Sequence, residues 1–145
     1  MSIFNGNEFD KLVLETFIKG CDYVRGVLNI SRNSDFIWHK IRTPKNYLSQ
    51  VIKVVVPLAK KHSVKRLVVC SAWGVSKTSN DIPLWFRWLI KNSNIGVAYE
   101  YHERQEEIVL ISSLDWTIIR TVGLTDFGRD RSLRSVVIAF LNPVY

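Results

Sequence analysis

Two short apolar segments that end in small and polar residues constrain the fold of this chain most. The first is the run Leu67–Cys70, which leads into Ser71, Ala72 and Gly74. Apolar runs bounded in this way are typical of strands that are buried in a parallel sheet. Ligands of open α/β sheets bind beyond the carboxyl ends of the strands. We therefore expect Ser71 to present its hydroxyl to a substrate.

A second segment repeats this pattern after a helix-like stretch. It begins at Trp116, continues through Ile119, and ends in Thr121, Val122 and Gly123. Two such strands, joined by a helix, predict an α/β protein with a parallel sheet that binds a nucleotide. No Gly-x-Gly-x-x-Gly phosphate-binding motif occurs in the sequence.

The composition limits the size and the class of the protein. A length of 145 residues allows one domain, and 47% hydrophobic residues can build a core. The net charge of +7 comes from 20 lysines and arginines against 13 acidic residues. Because the basic residues are scattered, we expect a solvated basic surface and no nucleic-acid partner.

The sequence carries no signal of secretion or of a membrane span. Its two cysteines, Cys21 and Cys70, lack the spacing of a metal or redox motif, and Cys70 falls in a predicted buried strand. We therefore expect a cytoplasmic protein with reduced cysteines, no metal ion and no membrane partner.

Helix and strand signals alternate along the chain. Asn7 and Gly20 are predicted to cap the first helix, and Thr43 followed by Pro44 to begin the second. Pro57 lies inside the second helix and predicts a kink there. The predicted helices cover residues 8–19, 43–61, 83–92 and 98–112, and the predicted strands cover residues 22–30, 64–71, 115–121 and 135–140.

Four segments together resemble the atypical short-chain dehydrogenase/reductases, which are NAD(P)H-binding proteins that include NmrA-like proteins and biliverdin or flavin reductases. These segments are Gly20–Val24, Val64–Gly74, His102–Glu107 and Leu114–Arg120. The resemblance implies a Rossmann-type sheet. Family members begin with a strand, a glycine-rich turn and a helix that hold the cofactor pyrophosphate, followed by a second βα unit. Met1 falls where their third strand begins, so we expect an incomplete sheet without the first two βα units, shortened at the C-terminal end as well.

Two residues depart from the family pattern within the matched segments. Arg25 stands in a strand position where the family has an apolar or small residue, and a buried charge without a partner would be costly there. Thr121 replaces the proline that usually follows the strand-ending arginine.

The resemblance also assigns the site residues. Ser71 matches the hydroxyl that bonds the reacting carbonyl, and His102 stands where the superfamily has the lysine that holds the nicotinamide ribose, so both are the predicted catalytic residues. The alternatives are a serine that caps a strand end or bonds the backbone, and a solvated helix histidine. The predicted cofactor-binding residues are Leu28, Asn29, Ser71, Ala72, His102, Thr121, Val122 and Gly123.

The proton-donating tyrosine of the superfamily is absent from its position, four residues before His102, where Ala98 stands. Tyr99 and Tyr101 lie nearby, but their spacing predicts that they occupy other faces of the helix.

An aromatic-rich stretch follows the strand that ends at Ser71. The resemblance would make the aromatic-rich stretch of Trp73, Trp85, Phe86 and Trp88 a flap over a small-molecule substrate, and Trp73, Trp85 and Trp88 are the predicted substrate-binding residues. The alternative is that this aromatic-rich stretch packs in the core and between helices.

Three hypotheses on function follow. The first is hydride transfer from NADH or NADPH to a small acceptor, with Ser71 polarising the acceptor and His102 or solvent supplying a proton. The second is a non-catalytic NAD(P)-sensing regulator, which Ala98 favours, and the third is an inactive remnant. Because the glycine-rich loop is missing, we expect weak or absent cofactor binding. Because a sheet edge is left uncovered, we expect self-association.

Overall fold

A four-stranded sheet with helices packed against it organises the chain. The computed structural model describes residues 9–31 and 38–121 together with the backbone of 137–141. The helices are α1 (Lys11–Ile18), α2 (Tyr47–Lys61), α3 (Leu84–Lys91) and α4 (Ile95–Leu110). The strands are β1 (Tyr23–Gly26), β2 (Arg66–Ala72), β3 (Trp116–Thr121) and β4 (Val137–Leu141). A short 3-10 turn, Ser76–Asn80, connects β2 to α3.

The strands lie in the order in which they occur along the chain. β1, β2 and β3 are parallel, and β4 runs antiparallel to β3. The register of the two central strands places Ser71 opposite Arg120 and Ala72 opposite Thr121. This confirms the predicted α/β class and its parallel Rossmann-type sheet. Among the described residues β1 pairs only with β2, and self-association through that edge stays a prediction.

The core forms between the helices and one face of the sheet. In α2 the buried residues recur at the spacing of one helix face: Leu48, Val51, Ile52, Val55, Leu58 and Ala59. Side chains alternate in β2, so Leu67, Val69 and Ser71 are buried on the same face. Ser71 thus continues a buried apolar row at the point where the strand ends.

The ends of α1 and β1 differ from the predicted boundaries. Asp10 caps α1 by accepting a hydrogen bond from the backbone N–H of Leu12 at 2.9 Å, whereas Asn7 lies outside the described residues. Gly20 takes the left-handed conformation with φ 82°, which confirms its role after the helix. β1 ends at Gly26, so Leu28 and Asn29 follow the strand rather than belonging to it.

The predicted start of α2 at Thr43 and Pro44 is wrong. The Thr43 hydroxyl instead accepts a hydrogen bond from the backbone N–H of Ser31 at 2.6 Å, which ties two loops together. The helix begins at Tyr47, after Asn46 in the left-handed conformation. It continues through Pro57, which lies on the exposed face.

Arg25 is exposed, so the cost expected of a buried charge in β1 does not arise. Arg25 pairs in register with Val68, but its side chain is exposed. Because water solvates the guanidinium, the strand does not bury an unpaired charge at this position.

A buried ion pair joins α4 to β3. Arg120 donates to Glu106 through Nε at 2.9 Å and through Nη2 at 2.5 Å, and the two residues are only 3% and 1% exposed. Gln105, the neighbour of Glu106, donates from Nε2 to the carbonyl oxygen of Cys70 at 3.1 Å. These bonds fix α4 against both central strands.

No described helix combines the length and the apolar character that a membrane crossing requires.

Removing one partner of the buried pair should destabilise the fold strongly. Arg120→Met leaves the Glu106 carboxylate buried without its cation, and we expect a loss of about 3–5 kcal/mol in the free energy of unfolding. The double variant Glu106→Met with Arg120→Met should recover most of that loss, because no buried charge remains. Urea denaturation of the wild type, both single variants and the double variant measures both values. A double variant as unstable as the sum of its single variants would contradict this account.

Candidate functional site

A cavity of about 240 Å³ lies at the carboxyl ends of β2 and β3, and we call it the strand-end cavity. The loop after β1 and the first turns of α4 complete its walls. Its lining residues are Val27, Leu28, Asn29, Cys70, Ser71, Ala72, Ile95, Ala98, Tyr99, His102 and Thr121. Every described residue of the predicted cofactor-binding set therefore lines one cavity. Val122 and Gly123 lie outside the described residues.

Ser71 brings an uncommitted hydroxyl into this cavity. The residue is 3% exposed, and its Oγ finds no hydrogen-bond partner among the described residues. The Thr121 hydroxyl donates to the Ser71 carbonyl oxygen at 3.3 Å, which ties the two strand ends together. Buried hydroxyls nearly always have a partner, so an unsatisfied one at a strand end points to a ligand or a water. The alternative in which the Ser71 hydroxyl bonds the backbone is wrong.

His102 reaches the same cavity from α4. It is 5% exposed, so the alternative of a solvated helix histidine is wrong. Its Nδ1 is buried without a hydrogen-bond partner in the described part of the chain. Burial lowers the pKa of His102, and the Glu106 carboxylate one turn away opposes this only in part. The imidazole is therefore neutral at neutral pH.

Tyr99 is a site residue that the sequence prediction missed. It stands three residues before His102, and helix positions three apart share a face. The expectation that Tyr99 occupies another face is therefore wrong, and this spacing is the signal that identifies it. The Tyr99 hydroxyl donates to the carbonyl oxygen of Trp73 at 3.0 Å, and burial raises the pKa of this phenol. Tyr101, by contrast, is buried and does not line the strand-end cavity.

A second cavity of about 370 Å³ adjoins the first, and we call it the aromatic cavity. The two share Ala72, Tyr99 and Thr121 as lining residues. The complete lining of the aromatic cavity is Ala72, Trp73, Pro83, Trp85, Phe86, Tyr99 and Thr121. Two of the three predicted substrate-binding tryptophans thus lie together beside the strand ends.

Trp88 stands three residues after Trp85 on α3. It is 64% exposed and lines neither of these two cavities. None of the α3 residues is fully buried, so the alternative of core packing is wrong for Trp85 and Trp88. Phe86 does pack inward, with its ring edge-on to Tyr99 at 6.5 Å between centroids. The role of Trp88 in substrate binding stays a prediction.

The chemistry available at these cavities is polar and aromatic. Among residues 9–31 and 38–121, no group of three or more His, Cys, Asp or Glu side chains is placed to hold a metal ion. Cys70 lines the strand-end cavity as a free thiol whose pKa is raised by burial, which makes it a weak nucleophile.

Comparison with known proteins gives the family and the fold. Residues 1–138 match the NAD(P)H-binding family, so the chain belongs to that family. No curated protein sequence matches the chain. Its fold is similar to ChuY, an anaerobilin reductase from Escherichia coli O157:H7, with a TM-score of 0.59 and 15% identity over 81% of this chain and 49% of ChuY.

Two further solved structures share the fold. A ChuY structure from another Escherichia coli strain has a TM-score of 0.58 and 15% identity, over 87% of this chain and 54% of that protein. A short-chain dehydrogenase/reductase from Veillonella parvula has a TM-score of 0.56 and 17% identity, over 79% of this chain and 44% of that protein. The chain therefore spans about half the length of these structures.

The stability of the fold should depend on pH through His102. Because burial lowers its folded-state pKa, the unfolded chain binds more protons, and the free energy of unfolding falls as pH drops below about 6.5. The slope is at most about 1.4 kcal/mol per pH unit for one proton. His102→Gln should flatten this slope, whereas His39→Gln, which alters an exposed histidine, should keep it. Urea unfolding across mildly acidic pH measures it, and an unchanged slope in His102→Gln would refute the assignment.

Proposed function

We propose that the strand-end cavity holds the nicotinamide end of NADH or NADPH. The adjoining aromatic cavity holds the body of a small acceptor for its hydride, and the reacting atom of that acceptor reaches Ser71 in the strand-end cavity. One observation carries this proposal: the buried Ser71 Oγ and the buried His102 Nδ1 both lack partners in the described chain and line a single cavity. Membership of the NAD(P)H-binding family supports a nicotinamide cofactor as the missing ligand. The ribose hydroxyls of the cofactor are groups that His102 Nδ1 can bond, and an acceptor beside the nicotinamide offers a partner for Ser71 Oγ.

Ser71 is the residue that we assign to the acceptor. A bound reduced nicotinamide supplies the hydride. The Ser71 hydroxyl donates a hydrogen bond to the acceptor atom on which negative charge develops. Because the hydroxyl is buried and held at a strand end, that bond strengthens with the charge and costs little reorganisation.

His102 is the residue that we assign to the cofactor ribose. A neutral imidazole with a lowered pKa is a poor proton source, so solvent supplies the proton in this proposal. The unpartnered Nδ1 can still exchange a hydrogen bond with a ribose hydroxyl. Tyr99 does not replace the absent catalytic tyrosine, since its hydroxyl already donates to the Trp73 backbone.

A regulator that binds NAD(P)H without reducing an acceptor is the second candidate. The engaged hydroxyl of Tyr99 supports it, as does Ala98 at the position of the catalytic tyrosine. The two candidates differ in one measurement. A regulator binds NADPH but does not oxidise it faster when quinones or flavins are added.

The cofactor affinity of this chain should be low. The sequence has no glycine-rich motif for the pyrophosphate, so we expect binding weaker than about 10 μM, or about −7 kcal/mol. Calorimetric titrations with NADPH and NADH test this. An affinity tighter than that limit would contradict the expected weakness. No binding at millimolar NADPH or NADH would contradict the proposed function itself.

Removing the Ser71 hydroxyl should slow turnover without weakening the binding of the cofactor. With saturating NADPH and riboflavin as acceptor, we expect Ser71→Ala to lower kcat about tenfold or more, or about 1.4 kcal/mol, with little change in KM for NADPH. Thr117→Val is the matched control, since Thr117 Oγ1 is also buried and unpartnered among described residues but does not line the strand-end cavity.

Steady-state kinetics of both variants separates a catalytic from a structural role. Equal losses of kcat in Ser71→Ala and Thr117→Val would show that Ser71 is structural. A loss that appears only in Ser71→Ala supports hydride transfer beside this hydroxyl.

A further inference from the structure

One side of α3 is both apolar and exposed. Leu84 is 77% exposed, Trp85 is 68% exposed, and Trp88 is exposed to a similar degree. Because successive helix residues lie about 100° apart, these three side chains fall within an arc of about 100° on the helix circumference. We call them the α3 outer face. Large apolar side chains that cluster on a surface, rather than occurring singly, mark an interaction site.

The opposite side of α3 packs on α4, which keeps the outer face turned outward. The Phe86 ring meets Tyr99 edge-on. The carbonyl oxygen of Ile90 lies 2.6 Å from where a Cβ on Gly96 would stand, so the two helices approach closely. The outer face could turn inward only if this packing were lost. Its cover must therefore come from a partner outside the described chain.

Trp38 extends this apolar surface at the C-terminal end of α3. Its indole Nε1 donates to the carbonyl oxygen of Asn92 at 3.3 Å, and Asn94 Nδ2 donates to the Trp38 carbonyl oxygen at 2.8 Å. The side chain is nevertheless 53% exposed. Two hydrogen bonds thus hold a third exposed tryptophan beside the end of the helix. Tryptophan, with an apolar ring and a polar N–H, is enriched where proteins meet the interface of a lipid bilayer.

Cations border the outer face on one side. Lys91 and Arg87 fall next to Leu84 on the helix circumference, and neither takes part in an ion pair among the described residues. Lys40, which is exposed and follows Trp38 by two residues, adds a third cation. The sequence of α3 contains no acidic residue. These charges favour an anionic partner, and the net charge of +7 acts in the same direction.

The same charges disfavour two other occupants of the outer face. A second copy of this chain in a symmetric contact would bring the cations of one copy against the same cations of the other, and like charges repel at close range. Single-stranded nucleic acid stacks on tryptophans, but it is held in a positively charged groove. The outer face lies instead on the convex surface of a helix and includes the aliphatic Leu84.

We propose that the α3 outer face binds the surface of an anionic lipid bilayer. Its three apolar side chains insert at the level of the headgroups, and Lys91 and Arg87 face lipid phosphates. Helices with tryptophan and leucine on one side and basic residues beside them bind membranes in this way. From the sequence we expected no membrane partner because no segment resembles a span, but contact with one bilayer surface requires no span. This binding is additional to the proposed function and does not depend on it.

Co-sedimentation of the whole chain with lipid vesicles tests the proposal. Vesicles of phosphatidylcholine alone are compared with vesicles of equal parts phosphatidylcholine and phosphatidylglycerol. Each cation close to an anionic surface strengthens binding about fivefold. We therefore expect the chain to partition at least about tenfold more strongly onto the anionic vesicles at low salt.

Two substitutions remove exposed apolar side chains that the fold does not need. Trp88→Ser should weaken partitioning onto the anionic vesicles about tenfold, and Leu84→Ser about threefold, because each variant has less apolar surface to insert. Ile111→Ser is the matched control, since Ile111 is 85% exposed at the end of α4 and lies outside the outer face. It should leave partitioning unchanged.

A second pair of variants tests the charges. Lys91→Gln should weaken partitioning about fivefold on the anionic vesicles and leave partitioning onto the neutral vesicles unchanged. Lys53→Gln, which alters an exposed lysine of α2, should change neither. An equal loss in Lys53→Gln would show a general attraction of the basic chain and overturn the assignment to α3.

The remaining outcomes also decide the proposal. No partitioning onto either kind of vesicle would overturn it, and so would equal partitioning onto both, or equal losses in Leu84→Ser and Ile111→Ser. Sedimentation equilibrium and titration with oligo-dT test the other two occupants. Self-association or oligonucleotide binding that Trp88→Ser abolishes, in a chain that does not bind vesicles, would assign the face to that partner instead. Since no nicotinamide is present, vesicle binding can fail while NADPH binding and turnover succeed, and the reverse also holds.

Discussion

The buried pair of Glu106 and Arg120 is the interaction on which the site geometry depends. It holds α4 against β3, and the bond from Gln105 to Cys70 holds the same helix turn against β2. Either charge would be costly in the core without the other. Rotation or sliding of α4 would separate the pair and leave both charges buried without a partner, at a large cost in free energy. One turn before Glu106, His102 is thereby placed over the strand ends. Cavity geometry at the sheet edge therefore follows from an ion pair that does not line the cavity.

Burial sets the charge state of the His102 imidazole. The Glu106 carboxylate, whose two oxygens accept from Arg120, opposes this effect only in part. Burial then dominates, and the pKa of His102 is lowered rather than raised. A site whose imidazole is neutral suits hydrogen bonding to a neutral sugar hydroxyl better than proton donation.

The sequence predicted which residues gather at the strand ends better than it predicted the element ends. Parallel strands bring their carboxyl ends to one edge, so local strand patterns are enough to group Ser71 with Thr121. The start of α2 depended instead on a contact between Thr43 and Ser31, which no local pattern encodes. Trp85 is a large apolar residue of the kind that is often found in a core. Its exposure depends on how α3 packs on α4, which the local sequence does not encode.

Tyr99 is the wall residue that the sequence analysis assigned to another helix face. Its ring lies where the strand-end and aromatic cavities meet, and its hydroxyl is fixed on the Trp73 carbonyl oxygen. Gly74 makes this arrangement possible: it adopts φ 94°, and a Cβ there would lie 3.2 Å from the Tyr99 ring. Tyr99 therefore forms a fixed wall between a polar and an aromatic space. A ligand that spans these spaces would be selected by shape and polarity around one immobile ring, since the phenol that anchors the wall is already committed to the backbone.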